Sequence, residues 1–241
     1  MFNNNWLALA VALGLALLWL RICDFAAHRG WVSSKLSRKI IHIGTGPIFV
    51  LSWLFFNDAT EARYLAALIP GAITAQFALV GLGVLRDPAA VKAMSRSGDR
   101  REILRGPLYY GLAHILLTIV FWKTSPVGMV ALMLLCGGDG LADVVGQRVR
   151  SACLPWSPNK SLAGSLAVFL GGGLLSLLVL SVYSALGALP GSLGSYLLPV
   201  ALISLAAMLV ESLPWKDLDN LTVPAVAVAL GDDFVLRKLT A

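Results

Sequence analysis

The chain has 241 residues, of which 58% are hydrophobic and 13% charged, and its mean hydropathy is +0.79. Soluble domains carry about 25% charged residues, so too little polar surface is available to enclose a water-soluble core. The net charge of +6 need not mean nucleic-acid binding, because the basic residues are concentrated in alternate connectors between apolar blocks.

A helix needs roughly 20 mainly apolar residues to cross a bilayer core, and about 17 at the least. Residues 1–20 contain no charged side chain. Without a basic leader or a small-residue cleavage site they read as an uncleaved first span rather than a signal peptide. The connector that follows carries Arg21, Arg29, Lys35, Arg38 and Lys39 against Asp24. Residues 40–57 and 64–85 form the next two apolar blocks, with His42 just inside the first. Arg38 and Lys39 at its mouth, with His42 one turn on, suit phosphate contact, since an intramembrane histidine is costly without a partner.

The connector 86–105 holds Arg86, Lys92, Arg96, Arg100, Arg101 and Arg105 against Asp87, Asp99 and Glu102. It is the one long polar insert, with room for a short surface helix. Glu102 is a candidate metal ligand or base. Residues 106–122 and 124–138 are apolar, and residues 161–210 are long enough for two crossings, with a Gly/Pro/Ser break at 187–194. A final apolar stretch, 220–231, is short. The expectation is an all-α polytopic bundle of about seven or eight spans, forming one domain over residues 1–241. Basic connectors alternate with poor ones, which places the N-terminus outside and the basic connectors in the cytoplasm.

Residues 136–165 concentrate the chemistry. Asp139 and Asp143 are four apart, on one helical face. Two such carboxylates repel and are expensive to desolvate unless a cation joins them. Magnesium suits them, because it takes one or two carboxylates plus phosphate oxygens and water. Gly137, Gly138, Gly140 and Gly146 remove side chains nearby. Pro158, Asn159, Lys160 and Ser161, then Gly164 and Ser165, open the next apolar block, and a helix N-terminus beside a lysine suits phosphate. The pattern is neither a Walker A loop nor a dinucleotide fingerprint. Glu211, Asp219 and Asn220 lie at the ends of the last two apolar segments, where polar groups of broken helices line membrane substrate sites. Cys23, Cys136 and Cys153 form no CxxC pair and suggest neither a disulfide framework nor zinc. Cys23 and Cys136 are expected to pack as small apolar residues. His28 and His114 receive no role.

These clusters resemble the polyprenol kinase family, and its phytol kinase branch most of all. The residues that carry the resemblance start with Arg38-Lys39-Ile40-Ile41-His42, and with Glu102 and Arg105-Gly106-Pro107-Leu108-Tyr109-Tyr110. They continue through Gly138-Asp139-Gly140-Leu141-Ala142-Asp143, Gly146, Pro158-Asn159-Lys160-Ser161 and Gly164-Ser165. Glu211-Ser212-Leu213-Pro214 and Asp219-Asn220-Leu221-Thr222-Val223-Pro224 complete the set. Arg150 stands where the family often has a glycine. The resemblance implies phosphorylation of a long-chain isoprenoid alcohol by CTP, ATP or another nucleoside triphosphate, with Mg2+.

On that reading Asp139, Asp143 and Glu211 hold the metal. Arg38, Lys39, Gly138, Gly140, Gly146, Asn159, Lys160, Ser161, Gly164, Ser165, Asp219 and Asn220 form the nucleotide site. Asp139, Asp143, Lys160, His42 and Glu102 carry the chemistry, with the base left open among His42, Glu102 and the aspartates. The expected location is a bacterial plasma membrane, with the site on its cytoplasmic face. A cytidylyltransferase of the CDP-diacylglycerol synthase type and a transporter are the alternatives.

Overall fold

The structure, a computed structural model, describes residues 1–95, 97–215 and 218–231. Arg96, one of the basic connector residues, lies outside them. The long helices are α1 (Asn5–His28), α2 (Ser34–Ser52) and α3 (Ala62–Leu82), followed by the short surface helix α4 (Pro88–Met94). After a 3-10 turn at Arg100–Leu104 come α5 (Gly106–Phe121) and α6 (Pro126–Met133). A π turn at Leu134–Gly138 leads into α7 (Asp139–Arg148). Strands β1 (Cys153–Leu154) and β2 (Ser157–Ser161) pair as a small antiparallel hairpin. Next are α8 (Leu162–Ala167), a second π turn at Val168–Gly172, α9 (Gly173–Ala185), α10 (Leu193–Glu211) and α11 (Asp219–Leu230).

Among the described residues, six helical stretches are long and apolar enough to cross a membrane: Asn5–His28, Ala62–Leu82, Arg100–Phe121, Pro126–Arg148, Leu162–Ala185 and Leu193–Glu211. The chain is an all-α polytopic membrane bundle. The other two expected apolar segments are also helical. One is α2, which starts on Lys35, Arg38 and Lys39, and the other is α11, which has 12 residues.

Lipid offers little hydrophobic drive between helices, so small residues and close backbone approach hold such bundles together. The span that begins at Pro126 is the central one. Met129 to Leu134 are fully buried, and Trp53, Tyr183, Tyr196 and Ile203 pack into the same core. The two π turns lie against each other, and glycines make this possible. A Cβ on Gly172 would sit 2.6 Å from Leu134 Cδ2, and one on Gly137 2.3 Å from Leu175 Cδ1. π turns insert an extra residue into a helix, and this one stands immediately before Asp139.

The two ends of the bundle differ. At one end Lys123 is buried, donates to the Phe56 carbonyl at 2.6 Å and pairs with Asp58 at 2.9 Å. The other end collects the basic connectors. There α3 stops at Gly83 in the left-handed region, φ +82°, with the Arg100 guanidinium in the space a Cβ would need. Arg100 Nη1 donates to the Gly81 carbonyl at 2.7 Å, so a basic side chain caps the helix C-terminus.

Candidate active site

The basic end brings together side chains from five elements of the chain. Helix α2 supplies Lys39 and His42, and α7 supplies Asp139 and Asp143. Lys39 Nζ lies 2.9 Å from Asp143 Oδ2, and His42 Nε2 lies 3.5 Å from Asp139 Oδ2. The i, i+4 spacing therefore aims both carboxylates at one helix, and the i, i+3 spacing of Lys39 and His42 answers it. Gln147 Nε2 also donates to Asp143 Oδ1.

Lys160 arrives on β2, just before α8 begins. Its Nζ donates to Glu211 Oε1 at 2.8 Å and to the Glu211 carbonyl. Trp156, in the same hairpin, donates from Nε1 to Ser212 Oγ at 3.2 Å. The hairpin is thus clasped to the end of α10. The charges of Lys39, His42 and Lys160 all bear on Asp139, which joins the two ion-pair clusters into one site.

Asp219 opens α11, outside the six membrane-length stretches. Burial first, then the Asp139 charge, push its carboxyl up to about 6, against its bond from the Asn220 N–H and the pull of Lys160. Lys39 and Lys160 are set against Asp143 and Glu211, and the Asp219 carboxyl is held up by burial first and by the neighbouring Asp139 and Glu211 charges after it. Asn220 Nδ2 donates to the Gly106 carbonyl at 3.2 Å, and its Oδ1 is buried without a partner among the described residues.

The expected metal set does not assemble as three ligands. Among the described residues no three His, Cys, Asp or Glu side chains converge to hold an ion. Glu211 is engaged twice by Lys160, which makes it the anchor of that lysine. The donors still fit magnesium, which is commonly held by one or two carboxylates with the phosphates of the nucleotide it accompanies. Asp139 and Asp219 are the carboxylates that such an ion would relieve.

The glycines act differently from the expectation. A Cβ on Gly140 would lie 2.4 Å from Ile43 Cγ1, and one on Gly138 3.1 Å from Val168 Cγ1. Gly146 and Gly164 face each other: a Cβ on Gly146 would be 3.2 Å from Ser161 Oγ, and one on Gly164 3.1 Å from the Ala142 carbonyl. Neighbouring helices fill the room expected for phosphate, so these glycines draw α2 and α8 onto α7. Ser161 caps α8, its Oγ accepting from the Gly164 N–H at 3.2 Å. Ser165 Oγ is buried with no partner among the described residues, and Asn159 is exposed on the hairpin. Arg38 is half-buried on α2, and Glu102 accepts from the Ser97 N–H at 3.2 Å, closing its own connector.

One cluster was not anticipated. His114 and Cys136 are buried, and Cys136 is more than a small apolar residue. Tyr110 Oη lies 3.1 Å from Cys136 Sγ, and His114 Nε2 lies 3.4 Å from the same sulfur. His114 Nδ1 is 2.9 Å from the Tyr110 carbonyl, an acceptor, so Nδ1 carries the proton. The Tyr110 ring stacks against His42, with centroids 4.4 Å apart. This polar ring therefore supports the side chain that faces Asp139. The i, i+4 spacing of Tyr110 and His114 on an apolar helix was the available signal.

Over 224 residues the chain is 42% identical to probable phytol kinase 2, chloroplastic, of Oryza sativa subsp. japonica, covering 92% of this chain and 73% of that one. The chain belongs to the phytol kinase family. It is also 40% identical over 202 residues to phytol kinase 1, chloroplastic, of Arabidopsis thaliana, covering 83% and 66% of the two chains. Farnesol kinase, chloroplastic, from the same plant is 41% identical over 205 residues, covering 84% and 66%. No family model matches the chain, and no solved structure does. The family membership favours a kinase over the cytidylyltransferase and transporter alternatives.

Proposed function

We propose that this lipid alcohol kinase moves the terminal phosphoryl group of a nucleoside triphosphate, CTP foremost, onto the hydroxyl of a long-chain isoprenoid alcohol. The relatives named phytol kinase and farnesol kinase support the acceptor class. The observation that carries the reading is the meeting of Lys39, His42, Asp139, Lys160, Glu211 and Asp219 at one end of an apolar bundle. A lipid alcohol arrives through the bilayer and a nucleotide through water, so their reaction needs a polar site at that boundary.

Phosphoryl transfer asks for positioning and charge neutralisation more than for covalent chemistry. Every lysine in this site now rests on a carboxylate. On nucleotide binding, Lys39 and Lys160 would exchange Asp143 and Glu211 for phosphate oxygens. Asp139 and Asp219 would hold Mg2+, which supplies neutralisation of the triphosphate. The alcohol oxygen bonds to the terminal phosphorus as the bridging P–O bond breaks, releasing the nucleoside diphosphate. The hydroxyl proton passes to the Asp139–His42 pair. By the positive-inside pattern the site opens on the basic, cytoplasmic face. The relatives carry chloroplastic names, and none of them supports the bacterial plasma membrane expected from the sequence.

The test is phosphoryl transfer in detergent–lipid micelles with Mg2+, terminally labelled CTP or ATP, and phytol, geranylgeraniol, farnesol, undecaprenol and diacylglycerol. Label on a prenyl alcohol supports the kinase, and the faster donor and chain set its preferences. Pyrophosphate release with phosphatidate and no labelled lipid would replace it with the cytidylyltransferase.

A further inference from the structure

Asn220 stands where α11 leaves the polar end and enters its apolar run, next to Asp219. Its side-chain orientation is decided by chemistry. The Gly106 carbonyl, 3.2 Å away, accepts hydrogen bonds and cannot donate them, so the nitrogen must face it. The amide oxygen then points elsewhere, and it is buried with no partner among the described residues. A buried carbonyl oxygen without a donor is costly, and native proteins rarely keep one without a use.

The ligand that satisfies it must bring a donor. Phosphate oxygens are acceptors and would repel an amide oxygen, so Asn220 does not bind the triphosphate in the way the sequence suggested. Magnesium would be held by the carboxylates of Asp139 and Asp219, which are stronger ligands than an amide. Of the groups that the proposed reaction brings to the edge of the apolar layer, the alcohol O–H is a donor and belongs at that depth. We propose that Asn220 Oδ1 accepts the hydrogen bond of the acceptor alcohol and sets its oxygen toward the terminal phosphorus. Asn220 is then a substrate-binding residue for the lipid, held in place by Gly106. An amide is too weak a base to remove the proton, which still goes to the Asp139–His42 pair. The inference rests on the kinase reading above.

The experiment measures KM for a prenyl alcohol, Ki for its methyl ether, which has no O–H, and KM for the nucleotide. In the wild type the alcohol should bind about 10-fold more tightly than the ether. In Asn220→Ala that ratio should fall to about 1 through loss of alcohol affinity, with nucleotide KM within about twofold. Asn220→Asp keeps an acceptor oxygen and should retain the preference for the alcohol, whatever it does to overall rate. A preference unchanged in Asn220→Ala overturns the assignment. So does a loss of nucleotide affinity as large as that of the alcohol, which would give Oδ1 to the metal or the nucleobase. Nucleotide-induced thermal stabilisation reports folding of each variant. A wild type that phosphorylates no prenyl alcohol would instead sink the kinase reading itself.

Discussion

At the scale of single residues, Lys39, His42 and Lys160 each lie against a carboxylate. Removing a preorganised electrostatic group commonly costs about 10²–10³-fold in turnover. Asp139→Asn and Lys160→Ala are expected to lose at least that much while still inserting in the membrane. Asp143→Asn should lose turnover too, because it frees Lys39 from its place. Near-normal rates in any of the three, measured on purified protein, would remove that residue from the mechanism. The Asp219 carboxyl allows a pH prediction. Its folded pKa of about 6 lies above the ordinary 3.8. Between those values the folded state binds more protons than the unfolded one, so stability falls as pH rises. Melting of the metal-free protein should show that decline between pH 4 and 6, and Asp219→Asn should flatten it. Tyr110→Phe removes one hydroxyl from the ring around Cys136, and is expected to cost about 0.5–1.5 kcal/mol in thermal unfolding.

Among the elements, the contact between α2 and α7 decides whether the site exists. Gly140 is where they meet, and an added methyl there would strike Ile43 and crowd His42 Cδ2 at 3.2 Å. Overpacking of this kind costs about 1–3 kcal/mol. Gly140→Ala should therefore lower both stability and turnover, and Ile43→Ala in the same chain should restore part of each. No recovery of turnover in the double variant would mean that Gly140 serves the ligand directly. The hairpin is the second decisive element. Its hold on α10 through Trp156 and Lys160 positions the lysine from outside the bundle, which a helical turn at that place would not do.

For the whole molecule, the separation of a basic end from the opposite end is a statement about orientation. Cysteines introduced at exposed positions of the connector 86–105, in a background without native cysteine, should react with impermeant reagents only from the cytoplasmic face. Reaction only from the outside would invert the topology and move the site with it. The basic end also holds the carboxylates, so under the proposed function the two substrates would meet there, the alcohol from the apolar helices below and the nucleotide from the side of the lysines.

The amino-acid sequence by itself determined the helical membrane class, because long uncharged blocks have few other stable solutions in lipid. It also determined the pairing of Asp139 and Asp143 on one face, because helical geometry makes positions four apart neighbours. The likeness to the phytol kinase family was also carried by local motifs, as a resemblance of residues rather than a consequence of their spacing. What only the tertiary structure decided is how residues far apart in the chain are matched: Lys160 with Glu211, Asn220 with Gly106, and His114 with Cys136 and Tyr110. Such partners are separated by helices whose rotation depends on where glycines let backbones touch. A π turn before Asp139 and a hairpin before α8 alter that rotation, and their effect exists only once the helices pack together.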